Sequence, residues 1–223
     1  MSELIAQVSG LLPALLEQTG VTLWLVALSL LFGGTAGLIV GTALYVTRKG
    51  GVLQQPIVFW VLNVLVNTFR PIPFIIFLAA MQPIARLVIG TGIGNEMIVF
   101  SISIAATFGI ARIVEQNLVS VEPGVIEAAR AMGAGPWRII RTVILPEAFG
   151  PLILGFTFAI VALIDMSAVA GIVGGDGLGD YALSYGFRQF EPVVTWSALV
   201  IIIVITQVVQ AVGNALSRLV LRR

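Results

Sequence analysis

The sequence predicts an all-α integral membrane protein with five transmembrane helices. The first reason is composition: 58% of the 223 residues are hydrophobic and 10% are charged, whereas a soluble domain averages about half apolar and a quarter charged residues. The second is that apolar residues form runs of about twenty or more, the length a helix needs to cross the hydrocarbon core of a bilayer. The third is that positive charges gather in alternate loops between these runs.

The five spans differ in how many polar residues they carry. The first is free of charge, the second contains Arg70, the third contains Arg112 near its end, and the fourth contains Asp165. We predict one membrane domain over residues 19–216, preceded by an N-terminal segment over residues 1–18 and followed by a tail over residues 217–223. The predicted spans are residues 21–46, 57–81, 97–114, 149–173 and 193–216.

The distribution of positive charge predicts the orientation of the chain. One side of the membrane receives only Arg86 and Arg188. Because cationic residues stay in the cytoplasm, we expect the N-terminus outside and the C-terminus in the cytoplasm. The other side receives nine cationic residues: Arg48, Lys49, Arg112, Arg130, Arg138, Arg141, Arg218, Arg222 and Arg223.

The composition also excludes several kinds of chemistry. The chain has no Cys and no His, which removes thiol nucleophiles, disulfides, His-based triads and ordinary zinc sites. The single lysine, Lys49, has no glycine frame before it and so does not belong to a nucleotide-binding P-loop. We therefore predict no catalytic residue, no metal site and no cofactor in this chain. The net charge of +1 gives no indication of a nucleic-acid partner.

A polar segment over residues 122–146 predicts a short helix, a turn and a second short helix on the cytoplasmic side. Pro123 suits the first turn of a helix, Gly133–Gly135 breaks it, Pro136 starts another helix, and Pro146 is expected to end that one. The segment either docks on a partner or lies among lipid headgroups. One apolar stripe is predicted along the first helix, made of Val125, Ile126, Ala129 and Met132.

This segment resembles the EAA motif of bacterial ABC-importer permeases. The family pattern is EAA, three residues, Gly, nine residues, Ile, one residue, then Leu-Pro, and Val143 stands here in place of the Ile. Three other stretches, "LYVTRKGG", "NTFRPIPFIIFL" and "GGDGLGDYALSYGF", are similar to the methionine importer permeases of the binding-protein-dependent type I family. The matching positions of the motif are Glu127, Ala128, Ala129, Gly133, Leu145 and Pro146.

The resemblance implies a function and a set of partners. The loop over residues 122–146 would be the coupling loop, and the six matching residues would contact a cytosolic ATPase. The permease would form a homodimer with two ATPase subunits that hold ATP and Mg, would receive substrate from a periplasmic substrate-binding lipoprotein, and would lie in the lipid of the inner membrane. It would import methionine in L- and D-forms, while a different amino acid or small organic solute stays open as an alternative.

Two other classes of function remain open from the residues alone. An ion-gradient-driven secondary transporter predicts internal repeats and ionisable relays at the membrane midplane. Five spans do not divide into equal halves, and only two charges lie deep in the spans, so this alternative is disfavoured. A membrane scaffold without transport activity is disfavoured only by the resemblance of the cytoplasmic motif.

The residues inside the membrane give two further expectations. Arg70 and Asp165 lie at similar depth, roughly 20 Å and 24 Å from the starts of their spans, and are predicted to pair. The alternative is that Arg70 caps a broken helix and Asp165 finds backbone donors. Met166, Ser167 and Val169 are predicted to line the translocation pathway or its gate, with plain helix packing as the alternative.

Overall fold

The computed structural model describes residues 2–221, and it describes side-chain environments from residue 7 onward. All regular structure in residues 2–221 is helical, which confirms the predicted fold class. Short π-helical turns occupy Leu30–Gly34, Ile140–Ile144 and Tyr181–Phe187, and a 3-10 turn occupies Ala170–Val173. The α-helices are α1 Ser2–Ser29, α2 Thr35–Thr47, α3 Pro56–Phe69, α4 Phe74–Val88, α5 Gly94–Val119, α6 Pro123–Ala131, α7 Pro136–Ile139, α8 Leu145–Glu147, α9 Phe149–Ser167, α10 Leu178–Asp180 and α11 Pro192–Leu221.

Four helical stretches in the described residues are long and apolar enough to cross a membrane. They are residues 7–47, which contain α1 and α2, and the helices α5, α9 and α11. The pair α3 and α4 also qualifies, but the chain bends by 112° at the break between them. Counting that pair as one broken span gives the five spans that the sequence predicts.

The first two predicted spans differ from the helices in where the first begins and in the break within the second. The first helical stretch begins at residue 2 and continues to Thr47, so no break separates residues 2–18 from the span. The second predicted span is broken at Arg70–Pro73, where Pro71 and Pro73 cannot donate backbone hydrogen bonds. Arg70 is the C-cap residue of α3, and its N–H donates to the carbonyl oxygen of Val66 at 3.1 Å.

The fourth span also ends earlier than predicted, at Ser167 rather than at residue 173. A 3-10 turn follows, and Gly174 ends it with a left-handed φ of +72° that an L side chain rarely adopts. Gly174 therefore ends this 3-10 turn one residue beyond the predicted end of the span.

The residue contacts divide the chain into two units. The first contains the chain up to Phe32, Ile72–Ala105 and Ile160–Val209. Its core includes one cluster around Leu15, Leu178 and Ala198 and another around Leu78, Ala85 and Met97. The second unit contains Gly33–Pro71, Ala106–Ala159 and the chain from Gln210 onward.

The second unit depends on close contact between α2 and α5. Its core cluster contains Leu44 from α2, Val66 from α3 and Ala111 from α5. A Cβ atom added at Gly41 would lie 2.4 Å from the carbonyl oxygen of Ala111, and one added at Gly37 would lie 2.7 Å from the Ile110 Cβ. Gly37 and Gly41 of the first span therefore allow the close packing of α2 against α5.

Candidate functional site

The segment over residues 122–146 begins with helix α6, which ends at a well-defined turn. Pro123 occupies the first turn, where its missing N–H costs no hydrogen bond. At the other end, Gly133 has a φ of +80°. Its N–H donates to Arg130 at 2.9 Å, and the N–H of Ala134 donates to Ala129 at 3.1 Å. These two bonds form a Schellman motif, which satisfies the last carbonyls of α6 and requires a left-handed residue at position 133.

The second half of the segment continues further than predicted. Gly135 has an ordinary φ of −69° and precedes Pro136, which starts α7. The expectation that Pro146 ends this helix is wrong, because Pro146 lies in the first turn of α8, where its missing N–H is tolerated. Ala148 donates to Ile144 at 3.1 Å, so the chain passes into α9 without a flexible linker.

The structure places four of the six motif residues at the surface of the chain. Glu127, Ala128, Gly133 and Pro146 are exposed, and Leu145 is half-buried. Ala129 differs, because it is 4% exposed and therefore packs inside the chain. Its place in the motif corresponds to the packing of α6 rather than to the outer surface.

The predicted apolar stripe along α6 is only partly correct. Ile126 and Ala129 face inward, whereas Val125 is exposed and Met132 is 82% exposed. Helix α6 ends at Ala131, so Met132 no longer follows the helical direction that the spacing assumed. Trp137, on the other side of the glycine turn, is 66% exposed. Neither side chain was predicted to be exposed beside the turn, although two large apolar residues flanking a glycine turn were the available signal.

Helix α6 lies against the turn that follows α2. A small cavity of about 120 Å³ between them is lined by residues including Tyr45, Arg48, Glu127 and Arg130. The guanidinium of Arg48 lies 4.2 Å from the centre of the Tyr45 ring, a cation–π contact that fixes one wall. The coupling segment is therefore supported by the second unit, to which all these residues belong.

A polar cluster that the sequence analysis missed lies between α3 and α5 in the second unit. Arg112 Nη1 donates to Glu115 Oε2 at 2.5 Å, and Arg112 Nη2 donates to Asn63 Oδ1 at 3.1 Å and to Asn67 Oδ1. Within residues 7–221, whose side-chain environments the structure describes, Arg112 and Glu115 form the one ion pair. Arg112 is thus a partnered residue of α5 rather than a loop cation. Two asparagines four residues apart in an apolar helix were the available signal.

The predicted pathway residues fall into different environments in the first unit. Ser167 is 3% exposed and its hydroxyl donates to the carbonyl oxygen of Ile164 at 2.7 Å, and Val169 packs against a core cluster. Met166 is half-buried and Asp165 is exposed. In this chain, packing describes Ser167 and Val169 better than pore lining does.

The predicted pairing of Arg70 with Asp165 stays a prediction, because the two residues belong to different units. The C-cap position of Arg70 agrees with the alternative expectation that it caps a broken helix. The exposed carboxylate of Asp165 lies in a helix that is apolar enough to cross a membrane, where a charge needs water or another chain beside it.

Comparison with known families agrees with this geometry. The model of the family described as binding-protein-dependent transport system inner membrane component matches residues 33–223. The chain belongs to this family. The resemblance noted from the cytoplasmic motif is thereby confirmed. The permease is a membrane component of a transport system, which removes the scaffold and secondary-transporter alternatives.

Individual relatives of the permease cover most of its length. It is 38% identical over 204 residues to a protein of Vibrio cholerae named probable D-methionine transport system permease protein MetI, which covers 92% of this chain and 91% of the relative. It is 41% identical over 150 residues to the D-methionine transport system permease protein MetI of Escherichia coli K12, which covers 67% of this chain and 69% of that relative.

Solved structures give the same fold. An inward-facing structure of the MetNI methionine ABC transporter has a chain with a TM-score of 0.91 and 36% identity, covering 95% of this permease and 98% of that chain. A crystal structure of an amino acid ABC transporter with histidines gives a TM-score of 0.74 at 21% identity, which is a likeness of fold alone.

Proposed function

We propose that this permease is the membrane subunit of an ATP-driven importer of methionine. The observation that carries the proposal is the match of 36% identity and TM-score 0.91 to the MetNI methionine ABC transporter over 95% of the chain. The relatives from Vibrio cholerae and Escherichia coli, both named as D-methionine transport permeases, support the same substrate, in particular its D-form, and the L-form is part of the proposal.

The proposed assembly contains two copies of this permease, two cytosolic ATPase subunits and an external substrate-binding lipoprotein. ATP and Mg bind to the ATPase subunits, so this chain performs no covalent chemistry itself. The positive charges of the loops and of the C-terminal region support an orientation with the C-terminus in the cytoplasm and the N-terminus in the periplasm.

Coupling takes place through residues 122–146. The exposed residues Glu127, Ala128 and Gly133, with Met132 and Trp137, form the surface that docks on the ATPase. Large apolar side chains that are exposed beside a turn are the kind of anchors that dominate protein interfaces. Leu145 and Pro146 connect this surface to α9 by continuous helical structure, so a displacement of the docked segment moves that helix directly.

The translocation pathway is proposed to pass beside the last turn of α9. Asp165 and Met166 lie there, and the exposed carboxylate of Asp165 faces the water of the pathway. Most of the apolar surface of α11 is exposed in the single chain and faces lipid or the second copy. Few charges line the spans, which suits a small amino acid that is mostly apolar.

The proposed function is tested by co-expression with the neighbouring ATPase and binding-protein genes. We expect the ATPase to co-purify with the permease in a stoichiometric complex. Proteoliposomes containing that complex should accumulate radiolabelled methionine only under two conditions. ATP must be present in the lumen, on the same side as the ATPase, and the binding protein must be present outside. The control is the same preparation without the binding protein.

Two results would contradict the proposal. A permease that purifies without any ATPase is not the subunit described here. A complex that hydrolyses ATP and accumulates another amino acid, while excess unlabelled methionine does not compete, has the proposed architecture but a different substrate.

The docking surface gives a separate prediction. Met132→Ala should weaken binding of the ATPase subunit about tenfold, because truncation of a central apolar anchor typically costs 1 kcal/mol or more, roughly the 1.4 kcal/mol of a tenfold change. The measurement is the dissociation constant of the detergent-solubilised permease for the isolated ATPase. Leu219→Ala is the matched control, since Leu219 is 65% exposed but lies at the end of α11. Equal affinities for the two variants would remove Met132 from the interface.

A further inference from the structure

A polar cluster lies between two apolar helices, and removing its charged pair from water costs free energy. Its members are Asn63, Asn67, Arg112 and Glu115. Glu115 is 8% exposed, and the side chains of Arg112 and Glu115 are 18% and 11% exposed. Both lie in α5, which is apolar enough to cross a membrane. Replacing a buried ion pair with apolar residues is often neutral or stabilising, so stability alone is a weak reason for the cluster. An ionisable residue within a span is by default a functional hypothesis.

The cluster connects two helices by directional bonds. Arg112 and Glu115 belong to α5, while the oxygens that receive Arg112 Nη2 belong to Asn63 and Asn67 of α3. Asn67 also donates to Asn63 at 3.1 Å, which fixes the two amides relative to each other. Apolar packing between helices in lipid is non-directional and allows sliding, whereas a guanidinium bonded to two amides fixes the axial register of the helices.

The α5 side of the cluster is closely tied to the coupling segment. Arg112 is seven residues before the end of α5, about 10 Å along the helix. Only residues 120–122 separate α5 from α6, and they are held in place. Ser120 Oγ donates to the carbonyl oxygen of Asn117 at 2.7 Å, and Val121 is 4% exposed with its N–H donating to Leu118 at 3.3 Å. A displacement of α6 therefore displaces α5.

The α3 side of the cluster leads to the break in the second span. Asn67 is three residues before Arg70, the C-cap of α3. Next to the cluster, the rings of Phe69 and Phe108 stack with centroids 4.9 Å apart. The end of α3 is thus held to α5 by one polar and one aromatic contact.

We propose that this cluster is a positioning device that transmits the movement of the coupling helix α6, through α5, to α3 and the break at Arg70. The inference rests on the proposed function, because it assumes that a partner ATPase moves α6. Asn63 and Asn67 act through Arg112 and contact no substrate. Glu115 neutralises the guanidinium, so that the largely buried pair carries no net charge, while Asn67 lies at the exposed edge of the cluster.

The experiment compares Asn67→Ala with Asn67→Asp in the complete reconstituted transporter. Asn67→Ala removes an acceptor of Arg112, whereas Asn67→Asp retains an oxygen at that place. Uptake of methionine and hydrolysis of ATP are measured in the same proteoliposomes, and their ratio is the readout. We expect the ratio to fall at least about fivefold in Asn67→Ala, within the range that coupling residues remote from both sites produce. Asn67→Asp should recover at least half of the loss.

Asn117→Ala is the matched control. Asn117 is also a half-buried amide of α5, but its side chain donates within its own helix, to Ile113 at 2.8 Å. This variant should keep the wild-type ratio.

The outcomes separate the cluster from the function on which it rests. If Asn67→Ala keeps the wild-type ratio of uptake to hydrolysis, the cluster only supports the fold and the inference is wrong. The same conclusion follows if the ratio falls as far in Asn67→Asp and Asn117→Ala as it does in Asn67→Ala. If Asn67→Ala does not assemble, Asn63→Ala gives the same comparison with the weaker of the two acceptors removed, and a wild-type ratio there is equally decisive. A wild-type complex that fails to couple hydrolysis to any uptake refutes the proposed function instead.

Discussion

Gly133→Ala should lower methionine uptake about tenfold while ATP hydrolysis by the complex continues. Position 133 has a φ of +80°, and an L residue in that conformation costs about 1–2 kcal/mol, which corresponds to roughly a tenfold change in the population of the turn. No atom lies within 4 Å of an added Cβ, so the penalty is purely one of backbone conformation. The turn relaxes, and Met132 and Trp137 lose their relative placement.

The measurement is uptake and ATP hydrolysis in the same proteoliposomes, and Gly135→Ala is the control. Gly135 is two residues away, is equally open around an added Cβ and has a φ of −69°, which alanine adopts without strain. The two variants add the same methyl group to the same exposed loop. Uptake that falls equally in both would show that the loop is sensitive to bulk rather than to the left-handed turn, and the proposed mechanism of uncoupling would be wrong.

The positions of the spans could be predicted from the sequence because each depends on composition over about twenty residues. Single polar residues hardly change that composition. The ends of helices depend on single bonds, and there the predictions failed. Pro146 was expected to end a helix. Instead, a π-helical turn over Ile140–Ile144 precedes it, and Pro146 lies in the first turn of α8, where its missing N–H is tolerated. Such a turn has no sequence signature of its own, because it is stabilised by packing.

The candidate site was predictable where it depends on chain-local geometry. Within residues 122–146, a proline start and a glycine stop correctly located α6 and the turn at Gly133 that ends it, and Pro136 correctly marked the start of α7, whereas the helical structure continues past Pro146. The packing of that segment was not predictable, because it depends on partners distant in sequence. Ala129 turns inward toward such partners, and Met132 turns outward after the helix ends. The two asparagine partners of Arg112 are 45 and 49 residues away in the sequence.

Gly41→Ala should destabilise the permease by about 1–3 kcal/mol, the usual cost of adding a methyl group to a packed interface. The added Cβ would lie 2.4 Å from the carbonyl oxygen of Ala111 and 2.7 Å from the Val114 Cβ. Backbone on one side and a β-branched side chain on the other cannot rotate away, so α2 and α5 must separate. We expect a fall of about 5 °C in the apparent melting temperature in detergent, at roughly 2–4 °C per kcal/mol for a chain of this size.

Gly109→Ala is the control for this prediction. Gly109 lies in α5, like the residues that Gly41 meets, but no atom lies within 4 Å of an added Cβ. Alanine there gains helix propensity of up to about 1 kcal/mol, so its melting temperature should equal or exceed that of the wild type. A Gly41→Ala protein as stable as Gly109→Ala would mean that α2 does not approach α5 as closely as the structure has it.

The same substitution links packing to transport. The last turn of α2 carries Tyr45, Arg48 follows directly after the helix, and these two residues line the cavity beside helix α6. If α2 moves away from α5, these residues move with it, and α6 loses the support that its proposed docking to the ATPase requires. Gly41→Ala protein that survives purification should therefore transport less methionine per ATP than Gly109→Ala protein. Equal ratios would separate the stability of α2 from the coupling of α6.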